Sequence, residues 1–320
     1  MEILDLVRIN LLSPMVLAFV LGIVAVLVQS DLKFPDEVYS AISIYLLLAI
    51  GLKGGAELSV TPFSELWAPA LAALAIGCSV PIWSYAILRR IGKFSIADAA
   101  AVAAHYGSVS AVTFAAAITF ADAVKAPPEG FMPALVALME IPAIVIALLI
   151  ARSRMGSGGS IKEALHEIFA GKSILLLLGG LFIGWLSGKD GMKQVAPLFV
   201  DLFKGALTLF LLEMGMVAAR RLRDLARVGG FLIGFGIIMP ILHGILGVLL
   251  AHTVGLSLGG AVVLAALAAS ASYIAAPAAV RIALPEANPS YYLTAALGIT
   301  FPFNLALGIP LYYTIAQLMY

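Results

Sequence analysis

Charge is scarce in this chain. Of its 320 residues only 12% are Asp, Glu, Lys or Arg against 62% hydrophobic, and the mean hydropathy of +1.07 exceeds what a soluble core of this size can hide. The bilayer is therefore its solvent. Lys and Arg total 19 and Asp and Glu 18, a net charge of +1, which gives no reason to invoke nucleic acid or an acidic macromolecular partner. Cysteine occurs once, as Cys78 in an apolar run, which excludes an intrachain disulfide and a cysteine-based metal cluster. Among the 4 histidines, the one His-Glu pair, His166-Glu167, lies in a polar connector with no second histidine four residues on, so an intramembrane metalloenzyme lacks its ligand set. The first apolar segment lacks both a basic leader and a small-residue cleavage site, and is read as a retained helix.

What is abundant is long apolar sequence. Ten segments emerge, at 13–29, 38–52, 66–88, 97–120, 132–151, 173–186, 196–217, 228–251, 259–282 and 292–318. The expected fold is an all-α polytopic membrane protein of ten transmembrane helices. Segments shorter than about 20 residues must be completed by flanking residues or shielded by neighbours. The connector at 152–172, rich in Gly, Ser and charge, divides the chain into halves at 1–151 and 173–320.

Lys and Arg set the orientation. Odd-numbered connectors hold thirteen of them (Lys33, Arg89, Arg90, Lys93, Arg152, Arg154, Lys162, Lys172, Arg220, Arg221, Arg223, Arg227 and Arg281), while even connectors and termini hold five (Arg8, Lys53, Lys125, Lys189 and Lys193). Odd connectors are therefore expected in the cytoplasm and both termini outside. Five crossings per half also make the second half enter from the opposite side, as two inverted five-helix repeats. An offset of 164 residues lays Ile50-Gly51-Leu52 on Met214-Gly215-Met216, and Glu140 on Asn304. Other polar residues read as local pairs: Asp201 with Lys204 three residues on, and Glu213 with Arg220 and Arg221.

The fourth and ninth segments carry the unusual chemistry. Residues 104–117 read AHYGSVSAVTFAAA and residues 269–281 read ASASYIAAPAAVR, each crowding small hydroxyls around a helix breaker, Gly107 or Pro277. At the same offset Gly107-Ser108 falls on Ala271-Ser272. A helix broken in mid-membrane exposes N–H groups at the start of one half and carbonyls at the end of the other, which hydrocarbon cannot satisfy. The N-terminal ends favour an anion, and carbonyls and hydroxyls favour a cation such as sodium. The bland alternative is that these serines bond back to the preceding turn and the small residues only pack. A side chain at Gly107 is expected to fill the gap or restore a continuous helix. Glu140, the deep carboxylate of the fifth segment, should face a cavity and hold a cation or proton, or else sit protonated against a neighbouring helix.

GSVSAVTFAAA, MEIPAIV, the basic stretch at Met214–Arg223 and SASYIAAPAAVRIALPEANPS together resemble the family of sodium-dependent bicarbonate permeases, best known from cyanobacteria. The likeness covers nearly the whole chain. It implies a core of crossings three to five and eight to ten moving elevator-like against a gate of one, two, six and seven. It also implies a homotrimer in a bacterial inner membrane, with bicarbonate and sodium held between the two broken helices. On this likeness the substrate contacts are Gly107, Ser108, Val109, Ser110, Ser270, Ser272, Tyr273 and Ile274, and the sodium ligands are Ser110, Thr113, Glu140, Ser272 and Asn304; no prosthetic cofactor is implied. A PII-like regulator on the cytoplasmic face is a further implied partner, although the connector is short compared with that of cyanobacterial members. Where those members have Ser-Ser-Ser-Asp and then Ile-Ser-Gly-Pro-Pro, this chain has Ser270-Ala271-Ser272-Tyr273 and then Ile274-Ala275-Ala276-Pro277-Ala278, with Ala111 and Val112 replacing Gly and Ser in the first break. The site thus carries one charge fewer and fewer hydroxyls. Another small anion or short carboxylate, coupled to sodium or protons, is the rival to bicarbonate, and a passive channel suits inverted halves less well.

The charge count makes an orientation testable. A cysteine introduced near Tyr320 is expected to react with an impermeant thiol reagent in intact cells; reaction only after lysis reverses the assignment.

Overall fold

The computed structural model describes residues 3–155, 161–222 and 224–320. The chain is 83% helical, and no strand occurs among the described residues. The helices are α1 (Ile3–Leu11), α2 (Pro14–Leu27), α3 (Asp36–Leu58), α4 (Phe63–Arg90), α5 (Ile96–Gly107), α6 (Ala111–Ala123), α7 (Met132–Met155) and α8 (Ile161–Ala170). After them come α9 (Lys172–Ala196), α10 (Phe203–Leu222), α11 (Leu225–Thr253), α12 (Leu258–Ala268), α13 (Ala275–Ala283), α14 (Pro289–Leu293), α15 (Phe301–Phe303) and α16 (Ile309–Gln317). π-helical turns at Thr294–Thr300 and Asn304–Gly308 join the last three into one helix. Residues 156–160 of the connector and Arg223 of the basic run lie outside the described residues, as do the side chains of Glu167 and Arg227.

Among the described residues seven helices are long and apolar enough to cross a membrane, or eight if the pair Asp5–Leu11 and Pro14–Leu27, bent by 63°, counts as one span. The chain is thus a multi-pass membrane protein. The expected sixth and seventh segments lie in one 51-residue stretch, Lys172–Leu222, that is broken at Gly188 (φ 61°), and the ninth is divided between α12 and α13, of 11 and 9 residues. Such short halves survive because they are not lipid-facing. The window spanning α5 and α6 is 89% buried, against 17% for the stretch holding α9 and α10. The hydroxyl-rich breaks between these short halves thus sit inside protein.

Local sequence sets where the central helices begin. Ser95 Oγ accepts from Asp98 N–H at 3.0 Å to cap α5, and Ser257 Oγ accepts from Gly260 N–H at 3.0 Å to cap α12. Glu129 joins the second cap by accepting from Ser257 N–H at 2.6 Å.

Glycine fixes the outer helix pairs. A Cβ on Gly51 of α3 would lie 2.7 Å from Leu177 O and 2.9 Å from the Cα of Gly180, both on α9. On Gly215 of α10 it would lie 2.0 Å from Phe19 O and 3.2 Å from the Cα of Gly22, both on α2. These are matching contact sets: backbone against backbone with no room for a methyl, the small-residue packing that lipid-embedded helices use. Nearer the centre a Cβ on Gly77 would meet Met139 O at 3.1 Å, and one on Gly236 the side chain of Ile299 at 2.6 Å.

Prolines in the buried helices free carbonyls that other helices satisfy. Pro240 has no N–H for Gly236 O, which accepts instead from Thr300 Oγ1 at 2.7 Å; Thr300 in turn accepts from Tyr106 Oη at 2.6 Å. Pro310 likewise leaves Ala306 O, and Asn10 Nδ2 of α1 donates to it at 3.2 Å and to Leu305 O at 2.6 Å. These bonds hold α1, α5 and α11 to the last helix.

Close packing at Gly55, where a Cβ would lie 2.1 Å from Leu181 O, predicts that Gly55→Leu destabilises the α3–α9 pair by about 1–3 kcal/mol or more. Gly179→Ala, with nothing within 4 Å, should be neutral or slightly stabilising. Thermal unfolding in detergent compares the two.

Candidate substrate site

The two breaks lie against each other. The first spans residues 108–110, between α5 and α6, and the second spans 269–274, between α12 and α13. Ser110 N–H donates to Ser270 Oγ at 2.9 Å, and Ser272 N–H donates to His105 O at 2.8 Å. Each break therefore supplies an acceptor for the other. Ser270 Oγ passes its own proton to Leu267 O at 2.8 Å. Ser110 Oγ caps α6 by accepting from Thr113 N–H at 3.1 Å, and Ser272 Oγ accepts from Ala276 N–H of α13 at 3.3 Å.

Two helix N-termini start from this crossing point. The first N–H groups of any helix have no acceptor within it, so those of Ala111 and Val112 in α6, and of Ala275 in α13, remain available here. Two side-chain atoms at the breaks, Ser108 Oγ and His105 Nε2, are buried without a hydrogen-bond partner, and the buried Tyr273 Oη has no close one, the Ser110 side chain being its polar neighbour. His105 Nδ1 lies 2.7 Å from Ala101 O and must carry the proton to donate there, leaving Nε2 with a lone pair. The ring stacks on Tyr292 at 4.5 Å. Tyr273 packs edge-on to Phe301 at 5.5 Å. Unpaired polar atoms at this depth are costly unless a ligand or water meets them.

The residues singled out in the sequence are buried together, but not all are joined. Ser108, Val109, Ser110, Thr113, Ser270, Ser272 and Tyr273 are each at most 9% exposed. Asn304 is fastened to the second break: its Nδ2 donates to Ala269 O at 2.8 Å and its Oδ1 accepts from Tyr312 Oη at 2.7 Å. Glu140 is held elsewhere, with Oε1 accepting from Ser173 Oγ at 3.2 Å; no hydrogen bond ties it to Ser110, Thr113, Ser272 or Asn304. Gly107 does not open onto the gap. A Cβ there would strike the ring of Pro81 at 2.6 Å and Ala143 at 2.9 Å, so a side chain would push α5 off α4 and α7. Ser173 and Tyr312 escaped sequence reasoning, since a serine opening a helix and a tyrosine among apolar residues carry no local signal.

Two cavities lead to the crossing. A narrow one of about 10 Å³, roomy enough for little more than one water, is lined by Ser43, Ile50, Ala111, Val112, Phe210 and Ile274. A vestibule of about 500 Å³ shares Ile50 and Ala115 with it and opens between α3, α6 and α10, past Lys53, Glu57, Asp122 and Lys204. Lys204 pairs across this space with Asp122 at 3.7 Å, not with its near neighbour Asp201. Glu213 interacts electrostatically with Arg220, as expected, although its Oε2 makes no hydrogen bond; Arg221 pairs with Asp224 at 3.7 Å instead.

A family model described as the Na+-dependent bicarbonate transporter superfamily matches residues 14–317. No curated protein was found to match the chain.

The serines at the breaks divide into structural and free. Ser270→Ala strands the buried N–H of Ser110 and should cost about 1–3 kcal/mol of stability. Ser108→Ala removes a hydroxyl with no partner, so stability should hold while anion affinity falls by roughly one hydrogen bond, about 0.5–1.5 kcal/mol. Thermal unfolding and anion binding, measured on both variants, check the division; the reverse pattern would exchange the two roles.

Proposed function

We propose, from the premise that this chain belongs to the Na+-dependent bicarbonate transporter superfamily, that it takes up bicarbonate together with sodium by alternating access. Membership makes it a transporter and not an enzyme. The observation that carries the reading is the pair of reciprocal hydrogen bonds between the breaks, which draws the starts of α6 and α13 together. Each helix N-terminus is worth about half a positive charge. Two of them meeting in a shielded interior suit one monovalent anion, with Ser108 and Tyr273 as additional partners.

The ten-crossing reading divides the chain into two inverted repeats, 1–151 and 173–320, with the connector between them. The matched glycine contacts of α3 with α9 and α10 with α2 support it, because inversion exchanges the first crossing with the sixth and the second with the seventh. Those four helices form the gate, and α4 to α7 with α11 to α16 form the moving core. The vestibule runs along the seam between them, as an access route must when one body slides against another. Apolar lining by Ala111, Val112 and Ile274 favours a second reading, a short carboxylate with some carbon skeleton. Sodium enters with oxygen ligands, and Glu140 is its charged candidate, on a helix that packs against both α5 and α13.

Uptake of radiolabelled bicarbonate and of a panel of short carboxylates into proteoliposomes, with and without a sodium gradient, tests the reading. Bicarbonate uptake should require inward sodium; uptake of a carboxylate alone would select the second reading. Glu140→Gln keeps an acceptor for Ser173 and removes the charge, so assembly should survive while apparent sodium affinity weakens. An unchanged sodium dependence would make Glu140 structural.

A further inference from the structure

We infer that Lys53 captures the transported anion in the vestibule before it reaches the broken helices, an inference that rests on the transport reading above. Lys53 lies on α3, one turn beyond Ile50, and Ile50 lines both the vestibule and the narrow cavity at the starts of α6 and α13. Of the other charged groups around the vestibule two acids are paired with lysines, and the third, Glu129, has no cationic partner within 4 Å among the described residues. Glu57 is paired with Lys189 at 2.5 Å, and Asp122 with Lys204 at 3.7 Å. Glu129 is engaged at the start of α12, with one oxygen accepting from Ser257 N–H at 2.6 Å and the other buried beside Gly260. Lys53 has no acidic partner within 4 Å among the described residues. Its ammonium is therefore free and exposed on the wall of a cleft of about 500 Å³, while the unpaired oxygen of Glu129 is buried at the start of α12. Low-dielectric walls focus the field of such a charge and raise the local concentration of anions.

The residue type fits the task. An ammonium is a compact point charge with three donors on a flexible stem, able to meet a small oxyanion without demanding a fixed planar geometry. It is hydrated and exposed, so it can release what it attracts. Sodium gains nothing from it. Lys53 therefore acts on the anion alone, and before the shared site.

The test uses the full chain in proteoliposomes. Lys53→Gln should raise the apparent KM for radiolabelled bicarbonate about three- to tenfold at low ionic strength, with the maximal rate kept. The effect should shrink as choline gluconate is added at fixed sodium, and Lys53→Arg should restore most of the loss. The apparent KM for sodium should not move. An unchanged KM in Lys53→Gln, or a loss of maximal rate that Lys53→Arg does not rescue, would overturn the assignment. A second measurement does not depend on the substrate. With Cys78→Ser and a cysteine at Thr119 in the vestibule wall, anionic and cationic thiol reagents of matched size report the local potential. Lys53→Gln should slow the anionic reagent and speed the cationic one, each by about threefold. Equal rates would sink the proposal even if bicarbonate transport is confirmed; a clear difference would sustain it even if the substrate proves to be another anion.

Discussion

A backbone that leaves the helix inside a membrane protein must find partners for its N–H and C=O groups, and here the two breaks find them in each other. Ser110 N–H bonded to Ser270 Oγ and Ser272 N–H bonded to His105 O leave neither break complete alone. The rest of the centre follows from this dependence. α12 is buried along almost its whole length, Asn304 secures Ala269 from the last helix, and Thr300 and Tyr106 take up the carbonyl that Pro240 frees. Irregular backbone is tolerated because every route out of it ends on a neighbouring helix.

The outer helices obey a different rule. Gly51, Gly180, Gly22 and Gly215 bring backbones into contact where even a methyl would collide. Such contacts are short-ranged and numerous, and they make α3 with α9, and α2 with α10, two stiff pairs. Between these pairs and the centre, contact is looser: the vestibule opens there, and the ion pair bridging it at 3.7 Å involves a lysine that is largely exposed. Exposed pairs of that kind contribute little. The vestibule thus lies where the proposed alternating access would need sliding, and the backbone-to-backbone glycine contacts lie to one side of it.

Much of this was legible in the sequence. Hydropathy located ten apolar segments, all of which are helical, although seven or eight helices among the described residues qualify as spans. The hydroxyl-rich breaks stood out because such residues are out of place in a lipid-facing run, but the second lies before Pro277, which sits in the first turn of α13. What the letters could not supply was partner and depth. Glu140 and Asn304 looked like parts of one site, yet Glu140 is bonded to Ser173 while Asn304 is bonded to Ala269 and Tyr312. Asp201 and Lys204 looked like a pair at three residues' spacing, but Lys204 reaches across to Asp122. Gly107 looked like a gap, whereas its missing side chain makes room for Pro81. Local spacing reports which groups share an element; it does not report which element packs opposite.

The lack of any arginine or lysine at the crossing is itself informative. A fixed cation there would hold an anion in every conformation, and a transporter must release what it binds. Two helix N-termini instead offer together about one unit of positive charge, spread over N–H groups whose alignment depends on how the breaks meet. Affinity then varies with geometry. On the proposed reading, Glu140 on α7, which packs against both α5 and α13, would raise the energy of an anion bound alone and lower that of an anion bound with sodium. Linkage makes the effect reciprocal: sodium improves anion binding by the same factor that the anion improves sodium binding. Coupling of this kind needs no direct bond between the two ions. It needs a dry interior, a single acid and dipoles of the opposite sign, the parts that the proposed reading gives to Glu140 and to the starts of α6 and α13.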